Sequence, residues 1–200
     1  MFGWLKRRAR PSFEEQIRVL AECGIVLSPA VRPESLLVSF PREAYEKDPF
    51  RLLLCVMGGE AEDESQGEVG SLLSDRIWHF DAECIEDRGD YAAIARRLAV
   101  LSKGDLPIEN VRDHVDVEGG EAWVSFTLDG RPYQWEAEVK DDWVDPDVLS
   151  KFAELLKSLN TGRRFTYVDL HGQDCLIGCS TDEQRRALAA ATGLEVVWLR

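Results

Sequence analysis

Three alternate residues of one segment, His79, Asp81 and Glu83, have side chains suited to metal binding or to acid–base chemistry. Apolar residues alternate with them, and these are Trp78, Phe80, Ala82 and Cys84. This period of two predicts a strand with one buried face, on which the imidazole would lie beside two carboxylates. The other interpretation is a polar sheet face that is solvated, or covered by a helix with one satisfied histidine. A small hydrolase or metal-dependent enzyme is therefore one candidate function.

A second candidate is a cysteine nucleophile near the carboxyl-terminal end. Cys179 stands just before a helix predicted to begin at Thr181, where helix-terminal amides can lower the pKa of a thiol, and His171 and Cys175 are near in sequence. However, Cys175 and Cys179 lie on one face of a predicted strand, as buried small residues do. Their separation also differs from the Cys-x-x-Cys of redox and zinc motifs.

Four aspartates, Asp141, Asp142, Asp145 and Asp147, form an acidic group that could bind a hard cation through oxygen ligands. Their spacing matches no calcium-binding loop. Helix capping explains the last two, because Asp145 precedes Pro146 at a predicted helix start and Asp147 falls in the first turn.

Motifs for cofactor binding are absent from the sequence. There is no Gly-x-Gly-x-x-Gly, P-loop, Gly-x-Ser-x-Gly or His-Glu-x-x-His pattern, and the chain has only three histidines. We therefore predict no cofactor and no resident metal, and favour a protein that is not an enzyme.

Charge and one tryptophan favour binding to another protein. The chain has 24 Lys and Arg against 37 Asp and Glu, a net charge of −13, which disfavours nucleic acid and favours a basic protein partner. Trp123 falls on the predicted polar face of a sheet near Glu136 and Glu138, where an indole among carboxylates could anchor that partner. Alternatively, a helix or loop covers Trp123, and the charge serves solubility alone.

The elements that would position these residues indicate an α+β fold. Alternating apolar residues on both sides of Asp129-Gly130 predict a hairpin, which a strand over 111–117 extends to a three-stranded meander. A second hairpin is predicted over 164–179. Amphipathic helices are predicted to begin near Tyr91, at Pro146 and after Thr181. We expect a mostly antiparallel sheet, made of the meander and the hairpin, with helices packed on one face.

The amino-terminal part is less regular. A helix is predicted over 12–23, followed by short extended segments over 25–27 and 36–40, and then by a helix with Asp48 as a possible N-cap that ends at Gly58-Gly59. We expect residues 1–11 to be a flexible basic terminus and residues 12–200 to be one domain. A mobile acidic loop over 60–70 offers a possible subdivision.

Localisation is predicted to be cytoplasmic. The longest apolar run, from Leu52 to Met57, is far shorter than the roughly 20 residues of a membrane-spanning helix. No secretory signal is recognised, and the odd number of scattered cysteines, five, fits reduced thiols.

Three short motifs carry a resemblance to a known group of proteins. The segments 78–87, 142–145 and 172–174 resemble uncharacterised bacterial proteins classed as a domain of unknown function, over roughly residues 78–200. That resemblance implies an α+β fold and supplies no catalytic residues. In size, acidity and small α+β composition the chain is also similar to bacterial immunity proteins. We therefore expect a binding protein, of which an immunity-type inhibitor is one form.

Overall fold

The computed structural model describes residues 10–60 and 72–200 of the chain. The predicted acidic loop, apart from residue 60, and most of the predicted basic terminus lie outside these ranges. The described helices are α1 (Phe13–Glu22), a 3-10 helix (Pro33–Val38), α2 (Arg42–Lys47), α3 (Arg51–Met57), α4 (Asp90–Ser102), α5 (Pro146–Ser158) and α6 (Asp182–Thr192). The strands are β1 (Ile77–Asp81), β2 (Ile108–Asp116), β3 (Glu121–Leu128), β4 (Arg131–Ala137), β5 (Arg164–Asp169), β6 (Asp174–Ser180) and β7 (Val197–Trp198).

These strands form two separate antiparallel sheets. One sheet has four strands in the order β1-β6-β5-β7, and the other is the predicted meander β2-β3-β4. The predicted second hairpin is β5-β6, and β7 adds two residues that pair with β5. The chain is therefore an α+β protein with antiparallel strands, as the sequence predicts, although the meander and the hairpin form separate sheets rather than one.

The four-stranded sheet is covered on both of its faces. Cys175 and Ile177 of β6 pack into a core with α4, α5 and the meander. Leu176, between them, packs into a second core with α1, α2, α3 and α6. The expectation of helices on one face does not hold for this sheet, because α1, α2, α3 and α6 cover the face opposite α4 and α5.

Within residues 10–60 and 72–200, the meander is covered on one face only. Alternate residues of β3 are buried against α4 and α5, and these are Ala122, Val124, Phe126 and Leu128. Phe126 stacks on Tyr133 with ring centroids 5.2 Å apart and on Phe152 of α5 at 5.3 Å. Stacked and edge-on aromatic pairs of this kind add to the stabilisation that apolar burial gives. They fasten α5 to the inner face of the meander, as predicted.

The predicted turn and cap residues act as their chemistry suggests. Asp129 and Gly130 both have positive φ, 50° and 73°, the backbone that a two-residue hairpin loop needs. Thr181 and Gln184 form a capping box at the start of α6, and the Asp145 carboxylate accepts from the N–H of Asp147 at the start of α5. Local sequence therefore fixes the ends of these elements.

Helix α4 is capped from a distant strand. Its N-cap residue is Gly89, which has no side chain to cap the helix, and the carboxylate of Asp113 on β2 takes that place. Asp113 is 4% exposed and accepts from the N–H groups of Gly89, at 2.9 Å, and Ala92, at 3.1 Å. This inward-facing aspartate ties the meander to α4.

Two predictions for the amino-terminal part are wrong. Residues 36–40 do not form an extended segment, because Pro33 begins a 3-10 helix that continues to Val38. Asp48 is the C-cap of α2, and its carboxylate accepts from the side chain of Arg51. Within residues 10–60, no strand joins the four-stranded sheet.

Candidate functional site

The outer face of the meander is the sheet surface that the helices leave open. It consists of the residues that alternate with the buried ones, namely Arg112, His114, Asp116, Glu121, Trp123, Ser125, Thr127, Gln134 and Glu136. Arg112, Glu121, Gln134 and Glu136 are exposed, and the others of the central strand are half-buried by their neighbours. This face is open to solvent, so its side chains are free to contact another molecule.

Trp123 lies at the centre of one end of this face. It is paired across the sheet with His114 on β2 and with Glu136 on β4. The imidazole of His114 stacks on the indole with centroids 6.0 Å apart and planes 28° apart. Trp123 stays half exposed between these two neighbours, as a binding anchor requires.

Carboxylates surround this tryptophan. Glu136 lies directly opposite it, Glu121 precedes it by two residues on the same strand, and Asp116 is paired with Glu121. The carboxylate of Glu136 accepts only a long bond, 3.3 Å, from the amide of Gln134. An indole and several exposed carboxylates together suit a lysine or arginine side chain, through cation–π contact and charge pairing.

The predicted binding residues are brought together in part. Trp123 and Glu136 are direct cross-strand neighbours, but Glu138 lies just beyond the end of β4. Its carboxylate is 2.8 Å from the ammonium of Lys140, and its N–H donates to Asp145. Glu138 therefore adds less free negative charge to the face than Glu136 does.

The residues His79, Asp81 and Glu83 do not share one strand face. β1 ends at Asp81, whose carboxylate accepts from the N–H of Glu83, and this turn takes Glu83 out of the ladder. His79 is 3.4 Å from the carboxylate of Asp174, and Asp81 accepts from the amide of Gln173. In the described parts of the chain, no group of three or more His, Cys, Asp or Glu side chains is arranged to hold a metal ion.

The four aspartates of the β4–α5 connection also have separate surroundings. Asp145 is 9% exposed and caps α5, and Asp147 lies in the first turn of that helix. Asp141 and Asp142 are exposed. Helix capping accounts for the two that are ordered by hydrogen bonds.

The cysteine nucleophile has no support from the geometry. Cys179 lies at one end of the β5-β6 hairpin, paired with Phe165, whereas His171 lies in the turn at the other end. Burial raises the pKa of the Cys179 thiol to about 12, and burial likewise raises the pKa of Cys175 to about 12. Both thiols therefore stay protonated and unreactive at neutral pH.

Sequence reasoning missed two features that the structure reveals. His114 could have been found by counting back from the turn at Gly119-Gly120, since that register places it opposite Trp123.

Arg97 is the second feature, and no local sequence pattern indicates its role. It is 8% exposed, its Nη2 donates to the carbonyls of Gly58, Ser74 and Ile77, and among the described residues its Nε and Nη1 have no hydrogen-bond partner.

No helix of the described residues is long and apolar enough to cross a membrane. Comparisons of the chain with protein-family models, with curated proteins and with solved structures return no match. The resemblance of residues 78–200 to an uncharacterised bacterial family therefore stays a prediction, and the function has to be argued from the site itself.

Proposed function

We propose that the protein is a non-enzymatic binding protein, and that the outer face of its meander engages a basic protein partner. The observation that carries this proposal is the position of Trp123, half exposed between His114 and Glu136 on the sheet face that none of the described helices buries. Aromatic residues surrounded by polar groups are the usual anchors of protein interfaces.

Charge supports a basic partner rather than an acidic or neutral one. The net charge of −13 attracts a cationic protein over distances longer than any single contact. At short range, the exposed carboxylates of Glu121 and Glu136 flank the indole on its own strand and on the next one. A lysine or arginine of the partner would meet both the ring face and a carboxylate.

The enzyme alternative receives less support from the geometry. The side chains of His79 and Asp81 are engaged with different neighbours, Asp174 and Gln173, and Glu83 contributes only its backbone N–H to Asp81. The candidate nucleophile and its histidine lie at opposite ends of a hairpin.

A narrower form of the binding proposal is an immunity-type inhibitor in the bacterial cytoplasm, which would act by covering a basic surface of a toxin.

The experiment that tests the proposal is affinity capture from lysate with matched variants. Trp123→Ser and Glu136→Lys change the outer face, whereas Trp143→Ser and Glu195→Lys make the same chemical changes at exposed positions elsewhere. We expect one basic protein to be retained by the wild type and by both controls, released by added salt, and lost by both outer-face variants. Retention by Trp123→Ser, or loss by the controls alone, would refute the proposal.

A further inference from the structure

A cavity lined by aromatic rings lies between the four-stranded sheet, the β4–α5 connection and α5. It has a volume of about 500 Å³, within the roughly 300–1,000 Å³ of small-molecule sites. Its walls include Phe80 of β1, Tyr167 of β5, Trp198 of β7 and Trp143 of the β4–α5 connection. We call it the aromatic pocket. Four rings from four separate segments converge there, so the fold rather than one local motif assembles it.

The opening of the aromatic pocket is marked by an exposed indole. Trp143 is 41% exposed, whereas the next residue, Val144, is 6% exposed and packs in the core. Leu149 of α5 contributes an apolar side wall. An exposed ring beside an apolar cavity leaves apolar surface in contact with water, and a ring-shaped ligand would remove that surface from water.

The wall of the aromatic pocket includes one charged residue, and it is basic. Arg200 is the one charged residue that lines it among the described residues. The guanidinium groups of Arg164 and Arg185 lie over the ring of Trp198, 4.7 Å and 5.0 Å from its centroid. Arg185 is also paired with Asp182 at 2.9 Å. These two guanidiniums stack on Trp198 but are not part of the pocket wall, so Arg200 is the charged side chain there that favours an anionic ligand.

Two polar groups are placed to orient such a ligand. Tyr167 lines the aromatic pocket, and burial raises the pKa of its hydroxyl, which therefore stays a hydrogen-bond donor at neutral pH. Gln173 also lines the pocket, and its amide nitrogen donates to the carboxylate of Asp81 at 3.2 Å, which holds this side chain in one orientation. A few placed polar groups in an apolar cavity are typical of a site for one small molecule.

We propose that the aromatic pocket binds a small planar aromatic carboxylate, with its ring among Phe80, Trp143 and Trp198 and its carboxylate toward Arg200. The argument uses no residue of the meander's outer face, so this site stands or falls separately from the proposed protein-binding function. The ligand would contact four segments of the chain at once, and its binding would stabilise the folded state.

The test uses three probes with the same ring system and different charge: 2-naphthoate, neutral 2-naphthamide and the cation 2-naphthylmethylammonium. Binding to the full chain is measured by isothermal titration calorimetry and by quenching of tryptophan fluorescence. We expect naphthoate to bind more tightly than the amide by about fivefold and more tightly than the cation by about tenfold or more. Failure of naphthoate to bind, or tighter binding of the cation, overturns the proposal.

Variants locate the bound probe. Trp143→Ala is expected to weaken naphthoate binding by about tenfold, and Arg200→Gln is expected to remove most of the preference for naphthoate over the amide. Trp123→Ala is the matched control, since it deletes an indole from the meander and should leave the affinity within about twofold. Equal loss in Trp123→Ala and Trp143→Ala, or none in Trp143→Ala, contradicts the assignment. Circular dichroism verifies that each variant is folded, and Trp143 is exposed enough to be removed without opening the core.

Discussion

The two sheets of this chain differ in how much of their surface is buried by helices. The four-stranded sheet separates two hydrophobic cores and has packed side chains on both faces. The meander has one packed face and one open face, and the open face carries polar residues together with Trp123. The four-stranded sheet is buried on both faces and contributes to both cores. The meander leaves one face open, and we propose that a partner binds there.

The largest difference in stability between the two faces is expected for two aromatic residues on the same strand. Phe126 of β3 is 2% exposed and faces the core, so Phe126→Ala should cost about 4 kcal/mol of unfolding free energy. Trp123 faces outward, so Trp123→Ala should cost about 1 kcal/mol or less. Urea unfolding of both variants measures the difference. Equal losses would mean that the outer face is structural after all.

A second pair of variants compares carboxylates on the two faces. Asp113 caps α4 from the inner face, so Asp113→Ala should destabilise the chain by about 2–3 kcal/mol, because buried N–H groups lose their acceptor. Asp113→Asn keeps one acceptor oxygen and should cost less. The exposed Glu121 of β3 provides the control, and Glu121→Ala should change stability by about 0.5 kcal/mol at most. Chemical denaturation of the three variants checks the order, which a large loss in Glu121→Ala would reverse.

The sequence predicts well whatever depends on neighbouring residues. The hairpin at Asp129-Gly130 and the capping box of Thr181 and Gln184 form as expected, because their hydrogen bonds and backbone angles involve residues a few positions apart. The assignment of Trp123 and Glu136 to one face also follows from period-two alternation. That part of the candidate site could be predicted before its geometry was known.

Long-range contacts explain what sequence reasoning could not predict. The α4 cap comes from Asp113, which lies in a different strand. The strand β1 ends at Asp81 although apolar alternation continues to Cys84, because its partner strand β6 begins at Asp174, opposite Asp81. The aromatic pocket joins four segments that are distant in sequence. In each case a contact between segments that are distant in sequence determines the structure, and no local sequence pattern indicates that contact.

The unfolding free energy at alkaline pH should show how well the covered sheet faces exclude water. Burial raises the pKa of Cys175 and Cys179 from 9.0 to about 12. The folded state therefore keeps protons that the unfolded state releases above pH 9, and stability falls as pH rises from there toward the folded pKa, by up to about 1.4 kcal/mol per pH unit for each thiol. Unfolding free energies measured from about pH 8 to about pH 10.5 should show this slope.

Two alanine variants distinguish the thiols from simple packing. Cys175→Ala should make the alkaline slope shallower, although the buried tyrosines still contribute to it. Val168→Ala removes a similar volume from a buried position of β5 without removing a thiol, and should lower stability while leaving the slope unchanged. A slope unaffected by Cys175→Ala would show that this thiol is more accessible than its packing indicates.

The smallest effect on stability is expected at the charge that should matter most for binding. Glu136 is exposed, so Glu136→Lys should change the unfolding free energy by about 0.5 kcal/mol at most. The same substitution should slow association with a basic partner severalfold and weaken its dependence on salt. Stopped-flow association rates at several ionic strengths measure this. Glu195→Lys changes net charge equally and should have a smaller effect; equal effects would assign the role to net charge rather than to the meander.

Site-specific photo-crosslinking tests the central claim most directly. A photoreactive phenylalanine analogue replaces Gln134, which is exposed on the outer face, or Ala187, which is exposed on α6 over the four-stranded sheet. We predict that irradiation in low-salt lysate links the Gln134 variant to one basic protein, and that Trp123→Ser abolishes the product. A product of equal yield from the Ala187 variant, or none from Gln134, would contradict the assignment of function to the open face of the meander.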